Sequence, residues 1–163
     1  MNRKTKTAAL TRGGLIAALY VVLTLVSSAV GLSSGVIQCR LSEALTILPV
    51  FMPEAIIGLF IGCIISNTIA GGMLWDVVFG SLATLIGAIG AYFIGKLGKR
   101  WHLLIPLPTV LSNAIIVPFV LIHVYGATEA YPFLFLTVFV GEVISAGILG
   151  MLLYRSVYGL FKK

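Results

Sequence analysis

The sequence predicts an all-α fold: residues 1–163 form a single domain, an integral membrane bundle of six transmembrane helices with both termini cytoplasmic. Three observations carry this. Hydrophobic residues make up 60% of the chain and charged ones 10%, and a mean hydropathy of +1.12 leaves too few polar groups to clothe a water-facing surface. The windows 13–36, 55–75, 77–95 and 101–128 contain no Asp, Glu, Lys or Arg, and about 20 apolar residues suffice to cross about 30 Å of hydrocarbon. The cations behind the net charge of +6 gather as Arg3-Lys4-Lys6-Arg12, Lys96-Lys99-Arg100 and Lys162-Lys163. Each cluster ends an apolar segment, and short basic loops stay on the cytoplasmic side, so the chain crosses an even number of times. The same distribution argues for a lipid bilayer and against nucleic acid as the partner of the positive charge.

The first helix is expected over about 8–30. Its apolar run is too long for the core of a signal peptide, about 7 to 15 residues, and no small-residue cleavage site ends it. The Gly-Leu-Ser-Ser-Gly stretch then reads as an outer loop. A short second helix, about 40–51, is closed by Pro49 and Pro53, and a third, about 54–68, opens at Glu54, where a carboxylate suits the positive dipole end. Gly71-Gly72 breaks the chain on the outside. The fourth helix, about 74–97, returns to the basic loop at 96–102. A fifth, about 103–124, and a sixth, about 132–161, complete the bundle.

On this topology the loops at 31–39, 69–73 and 125–131 face outward, with most of the unusual polar residues beside them. Gln38, Arg40, Ser42 and Glu43 fall within six positions of an otherwise apolar chain. They mark either a structural ion pair, since Arg40 and Glu43 are three apart on one helix and can pair, or the rim of an outward-facing pocket. Glu142 lies about ten residues into the sixth helix, where an ionisable group costs at least about 2.5 kcal/mol and usually faces the bundle interior or a wet cavity. Asn67 and Asn113 supply amide donors and acceptors for a ligand or for neighbouring helices. Trp75 and Asp76 can anchor and cap the fourth helix, or can stack on and bond a planar nitrogen-rich ligand. His123 and Tyr125 read as interfacial. Cys39 and Cys63 read as small hydrophobes, with neither disulfide nor metal spacing, and no cofactor is implied.

Ala9, Gly13 and Ala17 recur every four residues on the first helix, with Gly14 and Ala18 beside them, a spacing that lets another helix approach closely. A second small-residue ridge, Gly80, Thr84, Gly87, Ala91 and Gly95, runs along the fourth. The chain contains no Gly-rich phosphate loop ending in Gly-Lys-Ser/Thr, so it is not expected to hydrolyse ATP. Neither Gly-x-Ser-x-Gly nor His-Glu-x-x-His occurs, which argues against an enzyme.

The string Gln38-x-Arg40-x-Ser42-Glu43-Ala44-Leu45-Thr46, followed by Leu48-Pro49, resembles the signature of the queuosine-precursor transporter family, QueT. Members are similar to the S components of energy-coupling factor (ECF) transporters, small six-helix substrate-binding subunits of the bacterial plasma membrane. The resemblance implies capture of a 7-deazaguanine such as preQ0, preQ1 or queuine from outside. It also implies docking, through Ala9, Gly13 and Ala17, onto a shared transmembrane coupling subunit driven by two partner ATPase subunits. The family's docking motif is Ala-x-x-x-Ala, and the stripe here reads Ala9-x-x-x-Gly13-x-x-x-Ala17, a departure that keeps the small size. On the implied ligand, Glu43 or Glu142 would accept from the ring edge and Asn67, Gln38 or Arg40 would donate to the carbonyl. Trp75 would stack, and Asp76 would hold the aminomethyl cation of preQ1. An S component for another vitamin or nucleobase, or a self-contained secondary transporter with Glu142 as proton relay, remains the alternative.

Overall fold

The structure, a computed structural model, describes residues 3–32 and 38–161; the Lys162-Lys163 cluster and the middle of the 31–39 loop lie outside the described residues. All regular elements among those residues are helical: α1 (Arg3–Ala29), a 3₁₀ helix (Leu41–Val50), α2 (Ala55–Ile69) and α3 (Leu74–Lys96) come first. A short 3₁₀ turn (Lys99–Leu104) and α4 (Leu107–His123) follow. The final rod is α5 (Tyr131–Glu142) continued through a π-helical segment (Val143–Leu149) into α6 (Gly150–Phe161).

Four stretches, Thr5–Ala29, Leu74–Lys96, Lys99–His123 and Tyr131–Leu160, are long and apolar enough to cross a membrane. The second and third predicted helices are not. At about 2.0 Å per residue the 3₁₀ helix reaches about 20 Å, and at 1.5 Å per residue α2 reaches about 22 Å, both short of a bilayer core.

The 3₁₀ helix is the centre of the molecule. Residues Ser42 to Pro49 are all buried, and α1, α2, α3, α6 and the π segment pack around it. A run this long is unusual for 3₁₀ geometry, and non-α backbone is tolerated at membrane depth only where protein covers it. Consecutive helices then pair in sequence, α1 on α2, α2 on α3, α3 on α4 and α4 on α5. Close approach is made by small residues. A Cβ on Gly58 would lie 2.5 Å from the Gly13 carbonyl oxygen, and one on Gly87 would lie 2.5 Å from Thr109 Oγ1. The predicted fourth-helix ridge is thus spent on internal packing, with Gly95 set against Val50 in the same way.

At Gly71, φ is +78°, a left-handed conformation that glycine adopts without strain. It lets Gly72 N–H close back on the Asn67 carbonyl at 2.9 Å, a helix-ending turn of the Schellman kind. This is the break predicted from Gly71-Gly72. Large apolar side chains such as Leu15, Ile57, Ile86 and Phe93 point outward while Glu43, Thr84, Asn113 and Glu142 are buried, the polarity of a protein surrounded by lipid.

Candidate functional site

The site begins on α1. Tyr20, Thr24 and Ser27 repeat at helical spacing and form a polar stripe facing the 3₁₀ helix. Ser27 Oγ accepts from the Leu41 N–H at 2.9 Å and Thr24 Oγ1 donates to Ser42 Oγ at 2.8 Å. The Tyr20 hydroxyl donates to Glu43 Oε1, and Thr84 Oγ1 of α3 lies 3.4 Å from the same oxygen. The other oxygen, Glu43 Oε2, is buried and unpartnered.

Two more orphaned atoms accompany it. Glu142, 6% exposed, leaves Oε2 without a partner, and Asn113 leaves Nδ2 without one. Glu43 and Glu142 are electrostatic neighbours of each other, and both have Arg40 and Asn113 beside them. The Asn113 amide is near enough to both carboxylates to stabilise each of them, yet none of the three atoms has a partner at hydrogen-bond distance, and a buried polar atom left unpaired costs about 1–3 kcal/mol. Gln38, Arg40, Asn113 and Glu142 line a cavity of about 10 Å³ closed by Val117 and Val138, roughly the room one water needs.

Arg40 separates this inner cavity from an outer vestibule of about 270 Å³, bordered by Thr24, Arg40, Asn67, Asp76 and Tyr125. Arg40 Nη1 donates to Asn67 Oδ1 at 3.4 Å. The Tyr125 hydroxyl donates to Asp76 Oδ2 at 2.9 Å and accepts from the Met73 N–H at 3.2 Å. Partial burial, and next to it the Asp76 carboxylate, raises the Tyr125 phenol above the usual tyrosine range, so it remains a donor at neutral pH. Arg40 is the cation among three carboxylates, Glu43, Asp76 and Glu142, an excess of acceptors that suits a donor-rich or cationic ligand.

Seven of the eight candidate residues therefore lie at the inner cavity, its adjoining network or the vestibule; Trp75 does not. It is 58% exposed and stacks on Phe79, with centroids 5.9 Å apart, so it lines neither cavity, and the vestibule's aromatic is Tyr125. Arg40 and Glu43 form no ion pair among the described residues. Arg40 precedes the helix in extended conformation, φ −109° and ψ 109°, so the three-residue spacing that pairs side chains on a helix does not apply to it. Glu54 makes no cap bond; its partner is Arg12 Nε at 2.6 Å. Tyr20 and Thr84 were not anticipated. The signal for Tyr20 in the sequence is the hydroxyl stripe at 20, 24 and 27, which shares its helix with the small residues.

Ala9, Gly13 and Ala17 border a groove of about 320 Å³ between α1 and α2, together with Gly14, Ile57 and Ile61. Gly13 and Ala17 also seat the α1–α2 contact, since Gly58 abuts Gly13 and Gly62 abuts Ala17. A Cβ on Gly14 would meet nothing within 4 Å, so the open side of the stripe runs through Gly14 and the exposed Ala18.

The QueT transporter family matches residues 10–159 of the chain. A protein of Lactococcus lactis subsp. cremoris (strain MG1363), the queuosine precursor transporter QueT, is 40% identical over 85 residues, 52% of this chain. The match spans about half, 49%, of that relative's length. No solved structure matches.

Proposed function

The chain belongs to the QueT transporter family, and from that premise we propose that it is the membrane-embedded S component of an ATP-driven ECF importer that captures a 7-deazaguanine from outside. The observation that carries the reading is the set of buried, unpartnered atoms Glu43 Oε2, Glu142 Oε2 and Asn113 Nδ2. A 7-deazaguanine offers adjacent N–H donors to carboxylates and a carbonyl to an amide N–H, the complement of that set. Gln38 and Arg40 complete the wall, with Asn67 behind Arg40 and Asp76 placed for a cationic substituent.

Entry requires the 38–40 segment to move, because the inner cavity has room for about one water and Gln38 lies against the backbone of Gly141. The likeness to a relative named for queuosine precursors supports the substrate class. Docking of a coupling subunit, with two ATPase subunits attached, is assigned to the α1–α2 groove at Ala9, Gly13, Gly14 and Ala17. The assembly would work in the bacterial plasma membrane.

Thermal-shift and calorimetric titrations of the purified chain with preQ0, preQ1, queuine and guanine test the substrate. Stabilisation by the deazaguanines above guanine is expected, and no response to any of them would sink the reading. Liposomes containing only this chain should accumulate nothing. Uptake without the ATPase partners would identify a self-contained carrier instead.

A further inference from the structure

The other end of the bundle holds a second cavity, of about 300 Å³, that takes no part in the site above. Val50 and Ile105 supply apolar wall, while Lys99, His102, Tyr154 and Tyr158 bring an ammonium, an imidazole and two phenols. No acidic residue lines it among those described. The imidazole is fixed from two sides: His102 Nδ1 bonds to the Lys99 carbonyl, and the ring stacks on Tyr154 at 6.0 Å and 11°.

Its depth in the membrane is marked independently. Trp101, 45% exposed, sits next to His102 in the same 3₁₀ turn, between the exposed Leu97 and Leu103. A half-exposed tryptophan among lipid-facing leucines belongs at headgroup level. Lys96, whose ammonium lies 4.2 Å over the Tyr92 ring, and the exposed Arg100 add positive charge at that depth.

We propose that this cavity binds the phosphate of an anionic phospholipid, with the Lys99 ammonium as counter-ion and the Tyr154 hydroxyl as hydrogen-bond donor, while the acyl chains remain in the surrounding bilayer. Basic pockets between membrane helices on the cytoplasmic side are suited to such headgroups. The apolar wall favours a glycerophosphate ester over a fully hydrated anion.

Native mass spectrometry of the full chain in detergent tests this with phosphatidylglycerol, phosphatidylcholine, glycerol phosphate and inorganic phosphate. Phosphatidylglycerol should be retained over phosphatidylcholine. Lys99→Gln should lower that retention about fivefold, the equivalent of about 1 kcal/mol for one cation near the headgroups. Tyr154→Phe, which keeps the ring stack, should lower it as well. Arg100→Gln, outside the cavity, should lower it distinctly less than Lys99→Gln. Equal retention of the two lipids, or an equal loss with Arg100→Gln, would reduce the effect to general charge attraction and overturn the site. Displacement of phosphatidylglycerol by equimolar glycerol phosphate or inorganic phosphate would assign the cavity to a soluble anion and overturn the lipid. Melting temperatures matching the unaltered chain confirm that Lys99→Gln and Tyr154→Phe report binding rather than unfolding.

Discussion

Tyr20 and Glu43 meet through a buried hydrogen bond, phenol to carboxylate, that fastens the middle of α1 to the 3₁₀ helix at the centre of the bundle. The same bond occupies Glu43 Oε1 and leaves Oε2 unpartnered, as are Glu142 Oε2 and Asn113 Nδ2 in the same neighbourhood. One interaction thus packs the core and, on the proposed function, holds a ligand acceptor in place.

Tyr20→Phe removes the donor and leaves Glu43 Oε1 beside Thr84 alone. A bond to a charged group is worth about 1.5–3 kcal/mol, so stability in detergent should fall by about that much. Denaturant titration measures it, and an unchanged midpoint would mean that water or Thr84 replaces the phenol.

Glu142→Gln keeps the shape of the side chain while replacing one carboxyl oxygen with an amide donor. Affinity for a 7-deazaguanine should fall at least about tenfold, the equivalent of about 1.4 kcal/mol, with little change in melting temperature. Isothermal titration calorimetry decides; undiminished affinity in a folded variant would return Glu142 to a packing role.

Gly58 of α2 and Gly14 of α1 should respond differently to substitution. Gly58→Ala drives a Cβ to 2.5 Å from the Gly13 carbonyl oxygen and should destabilise the α1–α2 contact by about 1–3 kcal/mol, as overpacking does. Gly14→Leu enters open space, so it should leave folding and ligand affinity intact while abolishing capture by the coupling subunit. Co-purification with that subunit is the readout, and normal capture of Gly14→Leu would move the docking face elsewhere.

Asp76→Asn removes the vestibule carboxylate that Tyr125 holds at 2.9 Å. Binding of the aminomethyl precursor preQ1 should weaken about tenfold, since an ammonium loses its charged acceptor, while binding of the nitrile preQ0 should not change. Equal losses for both ligands in competition assays would show that Asp76 shapes the vestibule without reading the substituent.

Glu43 and Glu142 were legible because a carboxylate in an apolar chain is costly wherever it lies, and cost points to a partner or a ligand. Tyr20 was not, because a phenol is at home in an apolar helix and its importance depends on Glu43, 23 residues away in sequence. Glu54 was read from its neighbours as a helix cap, yet its partner Arg12 is 42 residues distant. The expected Arg40–Glu43 pair failed for a local reason, since Arg40 lies outside the helix whose spacing was invoked. Trp75 faces outward because its position on α3 puts it beside Phe79, which no property of the dipeptide Trp75-Asp76 could reveal.

The sequence by itself determined that this is a helical protein with apolar segments long enough to cross a bilayer, and where its chain breaks, because hydropathy, charge and glycine act over a few residues at a time. Only the tertiary structure decided that residues 41–50 form a buried 3₁₀ core, that Glu43, Asn113 and Glu142 share one neighbourhood, and that Gly14 rather than Gly13 faces outward. Those outcomes depend on which helix faces meet, and a face is fixed by contacts between residues far apart in the chain.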